Sequence, residues 1–167
     1  KEKRKLNFKN IWTELVWFIA GDTNLGYLVD NDNFIWVGDS FKRYNNWLDN
    51  CSPGALIPEA LSRLEFIERI KNDDDFRRQW GDLGPIYGKQ WRNFDGVDQL
   101  YGIIEQLREN PDSRRMMVNA WNVGELDQMV LPPCHFSWQC YSHKKDGKSY
   151  LSLAWNQRSV DVGLGLP

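Results

Sequence analysis

The sequence lacks the features that mark a membrane-spanning, secreted or polyanion-binding chain. No stretch is apolar for long enough to cross a bilayer. The basic start Lys1-Glu2-Lys3-Arg4-Lys5 leads into an amphipathic segment, not into the apolar core of a signal peptide. Neither sign of charge dominates: 21 Lys and Arg against 23 Asp and Glu leave a net charge of -2, so nothing electrostatic argues for a nucleic acid or a membrane surface as partner. Cysteine is scarce. Three of them (Cys51, Cys134, Cys140) do not make a disulfide framework, and the odd count fits a reducing, cytoplasmic compartment. Internal repeats and low-complexity tracts are missing as well. What the sequence has in excess is tryptophan: nine in 167 residues imply either an aromatic core or flat pockets for planar ligands. That length suffices for one domain with its own core. Lys1 in place of an initiator Met and the turn-like end Leu164-Gly165-Leu166-Pro167 read as the ends of a partial chain.

Local patterns predict helices first and a hairpin last. Phe8, Ile11, Trp12, Leu15, Val16 and Ile19 recur at helical spacing, so a helix is expected from Asn7, a plausible N-cap, to Ala20, with that stripe facing the core. Gly21-Asp22-Thr23-Asn24 ends it, and a short helix follows to about Val29. The segment from about residue 40 to 80 is polar, is broken at Cys51-Ser52-Pro53-Gly54, and reads as a small helical insertion. Its run Asn72-Asp73-Asp74-Asp75 lacks the glycine a calcium loop needs and reads as a solvated turn. Val97 to Glu109 is helical and is stopped by Asn110-Pro111. Met116 to Trp121 reads as a strand. Cys134 to His143 and Ser149 to Ser159 form two more strands, joined by a type I′ turn at Asp146-Gly147. The sum is an α+β fold, a mixed sheet with flanking helices.

The hairpin brings chemistry together. Counting outward from Lys145 opposite Lys148, an ideal ladder sets Cys134 opposite Ser159, His135 opposite Arg158 and Phe136 opposite Gln157. Gln157-Arg158-Ser159-Val160-Asp161 is thereby delivered to the cysteine. A thiol attacks as its thiolate, which a neighbouring guanidinium favours. In an ideal pleat, however, Arg158 points away from Cys134, and only a bulge re-aims it. By strand pattern alone a buried core thiol is the better reading of Cys134. Zinc is disfavoured, because adjacent residues of Cys134, His135, Cys140 and His143 project to opposite strand faces. Arg114-Arg115 suits either a solvated charge pair or an anion site. Glu14 lies off the apolar stripe of its helix beside Trp17 and Phe18, either solvated or partly desolvated and able to move protons.

Six blocks then occur in one order. They are Glu14-Leu15-Val16-Trp17-Phe18 with Gly21-Asp22-Thr23-Asn24, Asp82-Leu83-Gly84-Pro85-Ile86-Tyr87-Gly88-Lys89-Gln90-Trp91, Pro111-Asp112-Ser113-Arg114-Arg115, Ala120-Trp121-Asn122-Val123-Gly124-Glu125-Leu126-Asp127, Pro132-Pro133-Cys134-His135, and Asn156-Gln157-Arg158-Ser159-Val160-Asp161-Val162-Gly163-Leu164-Gly165-Leu166-Pro167. Together they resemble the thymidylate synthase family over nearly all of the chain outside residues 40–80. The resemblance implies a catalytic domain of that fold, incomplete within 1–167. It also implies reductive methylation of dUMP with 5,10-methylenetetrahydrofolate as cosubstrate and no metal. Cys134 would be the nucleophile, with Glu14, Tyr87 and Arg158 as its catalytic company. Arg114, Arg115, Gln157, Arg158, Ser159, Val160 and Asp161 would bind the nucleotide. Asp161, Trp36, Leu164, Gly165 and Asn7 would line the folate side. A homodimer is implied, Arg114 and Arg115 reaching the partner's phosphate.

Departures accompany the resemblance. Asn156 stands where the family often has Tyr. Asp39 stands where a second tryptophan is usual three residues after Trp36, and Asn7 where a His is common. An arginine loop before Lys1 and the base-reading and folate-closing parts beyond Pro167 are not in this chain, so dUMP against dCMP is left open. A pyrimidine deoxynucleotide hydroxymethylase of the same fold, or a non-catalytic remnant, is the alternative.

Overall fold

The computed structural model describes residues 6–51 and 60–158. Among the described residues seven helices come in chain order: α1 Phe8–Ile19, α2 Gly26–Asp30, α3 Val37–Asp49, α4 Arg63–Asn72, α5 Asp74–Trp80, α6 Tyr87–Arg92 and α7 Gln99–Glu109. Strand β1 (Met117–Asn119), a 3-10 turn (Val123–Gln128), and strands β2 (His135–Lys145) and β3 (Lys148–Gln157) follow. The α+β expectation holds at that level. Among the described residues the sheet is antiparallel throughout, in the order β1-β2-β3, and not mixed. The reason is local: β2 and β3 join through two residues, and a parallel pair needs a long crossover. Asp146 and Gly147 both take positive φ, 53° and 72°, as the expected primed turn requires.

The helices start where their caps say. Asn7 accepts from the backbone N–H of Asn10 at 3.2 Å and opens α1. Ser62 and Glu65 form a reciprocal capping box at the start of α4. Asp73 accepts from Phe76 N–H at 3.0 Å, so the acidic run begins α5 instead of forming a separate turn. The carboxylates Asp74 and Asp75 then sit in the first turn, where the helix dipole favours them. Helix α6 was not anticipated, because its six residues are too few to show a period.

One expectation about α1 fails. Its span is as predicted, yet Phe8, Ile11, Trp12 and Ile19 are exposed, whereas Thr13 and Trp17 are buried. The helix packs on α2 and α6 through the Trp17 side, with Phe18 against Tyr87 at 4.7 Å between ring centroids. Trp17 also donates its indole N–H to the carbonyl of Asn24 at 3.0 Å, which ties the face inward. Glu14 rides on that inner side.

The core is continuous from helices to sheet. Tyr44, Phe66, Ile70, Phe76 and Trp80 fill the space between α3, α4 and α5, with Tyr44 in contact with Phe66, Phe76 and Trp80 at 5.0–5.7 Å between ring centroids. Leu25, Leu28, Val29, Leu83 and Ile86 connect this group to Trp91, Met116, Val118 and Trp138. Trp91 meets both Trp138 and Trp155, and so anchors the hairpin to the helices.

Candidate active site

The ladder between β2 and β3 is regular from Lys145↔Lys148 to Ser137↔Asn156, then slips so that His135 faces Gln157. Phe136 is the extra residue of a bulge. This corrects the ideal register: Gln157 is opposite His135, not Phe136, and Arg158 is opposite Cys134, not His135. Arg158 confirms the shift by donating its backbone N–H to the carbonyl of Cys134 at 3.0 Å. The carbonyl of Phe136 still accepts from Ala120 N–H at 2.8 Å, so the bulge is backed from the other side of β2. A bulge re-aims side chains at the end of a ladder, and here it brings the arginine round to the cysteine.

The Arg158 guanidinium is then fixed by the two prolines that precede the cysteine. Its Nε donates to the carbonyl of Pro133 at 2.9 Å, and Nη2 donates to that of Pro132 at 3.0 Å. The same Nη2 lies 3.9 Å from Cys134 Sγ. A planar fork suits this task, since two donors hold the group while its charge stays at the sulfur. Cys134 itself is half-buried and unbonded to any other cysteine.

Tyr87 opens α6 and points its hydroxyl at the same turn. That oxygen accepts from the backbone N–H groups of Cys134 at 2.7 Å and His135 at 3.1 Å. Burial pushes the phenol above its ordinary range, against the pull of those two N–H donors. Helix α6 is held from behind. Lys89 Nζ donates to both carboxylate oxygens of Glu125 at 2.6 Å, and Gln90 and Asn122 donate to Oε2 at 2.6 and 3.1 Å. The Lys89 hydrogen bonds, first among these, keep the Glu125 carboxyl below the usual range. The block around Glu125 thus positions Tyr87.

Glu14 enters from α1. Its Oε1 accepts the indole N–H of Trp36 at 2.7 Å. Burial raises its pKa, and the Trp36 hydrogen bond opposes the rise. Of the solvated and the desolvated readings, the desolvated one is what the fold provides. Glu14, Trp36, Tyr87, Cys134 and His135 line one cavity of about 270 Å³, together with Phe18, Ile35, Asp39 and Leu131. Its apolar rings and aliphatic chains are interrupted by two acids, a phenol, an imidazole and a thiol. Such a site excludes water from a flat ligand while a nucleophile and a proton carrier face it.

Other expected residues lie elsewhere. Arg114 and Arg115 line a separate open groove of about 760 Å³ along α7. Gln157 is exposed on β3. Asn7 is exposed and serves as the cap of α1. Ser159, Val160, Asp161, Leu164 and Gly165 lie outside the described residues. Among the described residues no group of three His, Cys, Asp or Glu side chains is placed to hold a metal. Two polar cavity residues, His135 and Asp39, carried no assigned role. His135 was visible beside the nucleophile; its ring packs between Tyr87 and Trp155 at 6.3 and 5.9 Å.

Residues 2–167 match the thymidylate synthase family. The chain is 47% identical to the thymidylate synthase of Mesoplasma florum over 165 residues and 48% identical to that of Mycoplasma pneumoniae over 164. It is 43% identical to that of Zymomonas mobilis over 169. In each case 98% of this chain aligns with 53% of the relative, so the chain spans about half the length of the curated relatives it matches. With a family match running nearly end to end, the cysteine, tyrosine and glutamate of the resemblance lining one cavity and the arginine at the sulfur, the chain belongs to the thymidylate synthase family.

Proposed function

We propose that the full-length protein carrying this chain converts dUMP to dTMP, with 5,10-methylenetetrahydrofolate as one-carbon and hydride donor. The observation that carries this reading is the meeting of Cys134 Sγ with Arg158 Nη2 at 3.9 Å, at the cavity that Glu14 and Tyr87 also line. The Cys134 thiolate adds to C6 of the uracil, and the electron pair moves to C5. C5 then forms a bond to the methylene carbon that bridges two folate nitrogens, as one of its C–N bonds opens and the freed nitrogen takes up a proton. Loss of the C5 proton and of the folate nitrogen gives an exocyclic methylene. Hydride from the folate reduces it to a methyl group, Cys134 leaves C6, and dihydrofolate is released.

The side chains divide the work. Arg158 keeps a positive charge at the sulfur and meets the nucleotide's phosphate. Glu14, desolvated and held by Trp36, passes protons through water to the ring. Tyr87, whose hydroxyl stands at the nucleophile's backbone, takes part in removing the C5 proton. Ser159, Val160 and Asp161 complete the nucleotide side, with Asp161, Leu164 and Gly165 toward the folate. Arg114 and Arg115, which line a groove apart from the cysteine, serve the phosphate in the second copy of a homodimer. The odd cysteine count supports a cytoplasmic setting, and no described helix is long and apolar enough to cross a membrane.

The test uses the full-length protein, dUMP, methylenetetrahydrofolate and a Cys134→Ala variant. Dihydrofolate formation is expected to fall to background in the variant; equal rates would end the proposal. With 5-fluoro-dUMP, a folate-dependent covalent adduct should appear at Cys134. A hydroxymethylated product in place of dTMP would instead support water, not hydride, as the quenching agent.

A further inference from the structure

Asp39 is the one acidic side chain of the cavity wall with no part in the proposed reaction. It lies in the first turn of α3, three residues past Trp36, so both side chains stand on the same side of the helix. It is half-buried and lines the cavity with Glu14, Tyr87 and Cys134. Among the described residues it makes no hydrogen bond or ion pair. Its neighbours in the wall, Phe18, Ile35, Trp36 and Leu131, offer it no charge. Glu14, by contrast, is tied to Trp36 at 2.7 Å.

A carboxylate facing an apolar cavity loses water contacts whenever a flat ligand fills the space. That loss is costly unless the ligand brings a donor to replace them. The aromatic residue of the family pattern would meet a ligand ring with a face and would tolerate many edges. An acceptor at the same point demands a donor on the ligand's edge, and sites built that way reject analogues lacking the donor far more strongly than apolar walls do.

We propose that Asp39 is a specificity-determining residue of the cosubstrate side, accepting hydrogen bonds from the amino and ring N–H groups of a reduced pteridine and selecting it over a same-sized ring without donors. This rests on the reading above, in which the second ligand is a folate. The consequence is specific to this chain, because it follows from an aspartate at a position where an indole is usual.

The experiment measures ligand dissociation constants by calorimetry on the full-length protein: tetrahydrofolate, its 2-desamino analogue, and dUMP. Wild type is compared with Asp39→Leu, which removes the acceptor, and Asp39→Asn, which keeps the size and weakens it. Wild type should bind the desamino analogue about 10-fold or more weakly than tetrahydrofolate, the scale of one hydrogen bond to a charged group. Asp39→Leu should erase most of that ratio and Asp39→Asn part of it, with the dUMP constant unchanged in both. A ratio that survives both substitutions overturns the proposal, as does equal weakening of folate and dUMP. Should Asp39→Leu fail to fold, the Asp39→Asn ratio decides alone. The 5-fluoro-dUMP adduct at Cys134 separates the two levels. An adduct with an unaltered ratio removes Asp39 only, whereas no adduct and no folate binding removes the underlying reading and this proposal with it.

Discussion

Two regions of this molecule use the same kind of residue in opposite ways. Between Val37 and Trp80 the aromatics Tyr44, Phe66, Phe76 and Trp80 turn inward and are buried among three helices. In the hairpin His135–Gln157, Tyr141, Tyr150 and Trp155 stand at the surface, and every residue of β3 is exposed. The first region has a core that its own helices close. The second is a ladder pinned at one end, where Trp91 meets Trp138 and Trp155 and where Tyr87 and Arg158 hold the turn around Cys134. Stability is therefore concentrated in the polar-looking segment, and reactivity at the secured end of an otherwise open hairpin. Of the low-stability parts of a fold, sites commonly occupy those fixed by a rigid neighbour.

The contrast can be broken most forcefully at the core. Phe66→Ala should cost about 3–5 kcal/mol in a urea unfolding experiment, since the side chain is fully buried among other rings. Leu151→Ala on exposed β3, as its control, should stay within about 0.5 kcal/mol. Similar costs at both positions would show that the hairpin is as much a core element as the helices.

The next effect is on chemistry, not stability. Arg158→Lys keeps a charge but cannot hold both proline carbonyls and the sulfur with one fork. Turnover of dUMP should fall about 10- to 100-fold, the scale of one or two charge-assisted hydrogen bonds, while the melting temperature barely moves. A parallel fall in both would mean that Arg158 secures the hairpin instead of serving the thiol.

The smallest effect is a slope with pH. The folded protein holds the Glu14 proton more tightly than the unfolded chain does, because burial raises its pKa. Stability contributed by that proton is present below the ordinary glutamate range. It is lost as pH rises through the elevated folded value and stays lost above it. Glu14→Gln removes this dependence and can still accept from Trp36. Its urea midpoint relative to wild type should therefore improve from pH 4 to pH 8. A difference that is flat over that interval would show Glu14 to be solvated.

The cavity was only partly legible in the residues. Cys134 and Arg158 could be paired by counting outward from Asp146-Gly147, but the count missed by one because it assumed an ideal ladder. A single inserted residue leaves no mark in an apolar pattern, and Phe136 alternates as a regular strand residue would. For α1, periodicity found the span and chose the wrong face. The apolar stripe was real, yet the indole bond of Trp17 to Asn24 and the ring contacts of Phe18 decided which side turned inward. The run 40–80 looked polar because one buried ring per turn suffices when each ring is large.

By itself the sequence determined the span and cap of α1, the stop of α7 at Asn110-Pro111, the primed turn at Asp146-Gly147, and the residue types available for chemistry. These depend on neighbours a few positions apart, and local hydrogen bonding and backbone preference settle them. Only the tertiary structure decided that Glu14 faces inward, that Tyr87 meets the backbone of Cys134 from 47 residues away, and that Arg158 reaches the sulfur. Those outcomes turn on which surfaces pack first and most tightly, and on one extra residue in one strand.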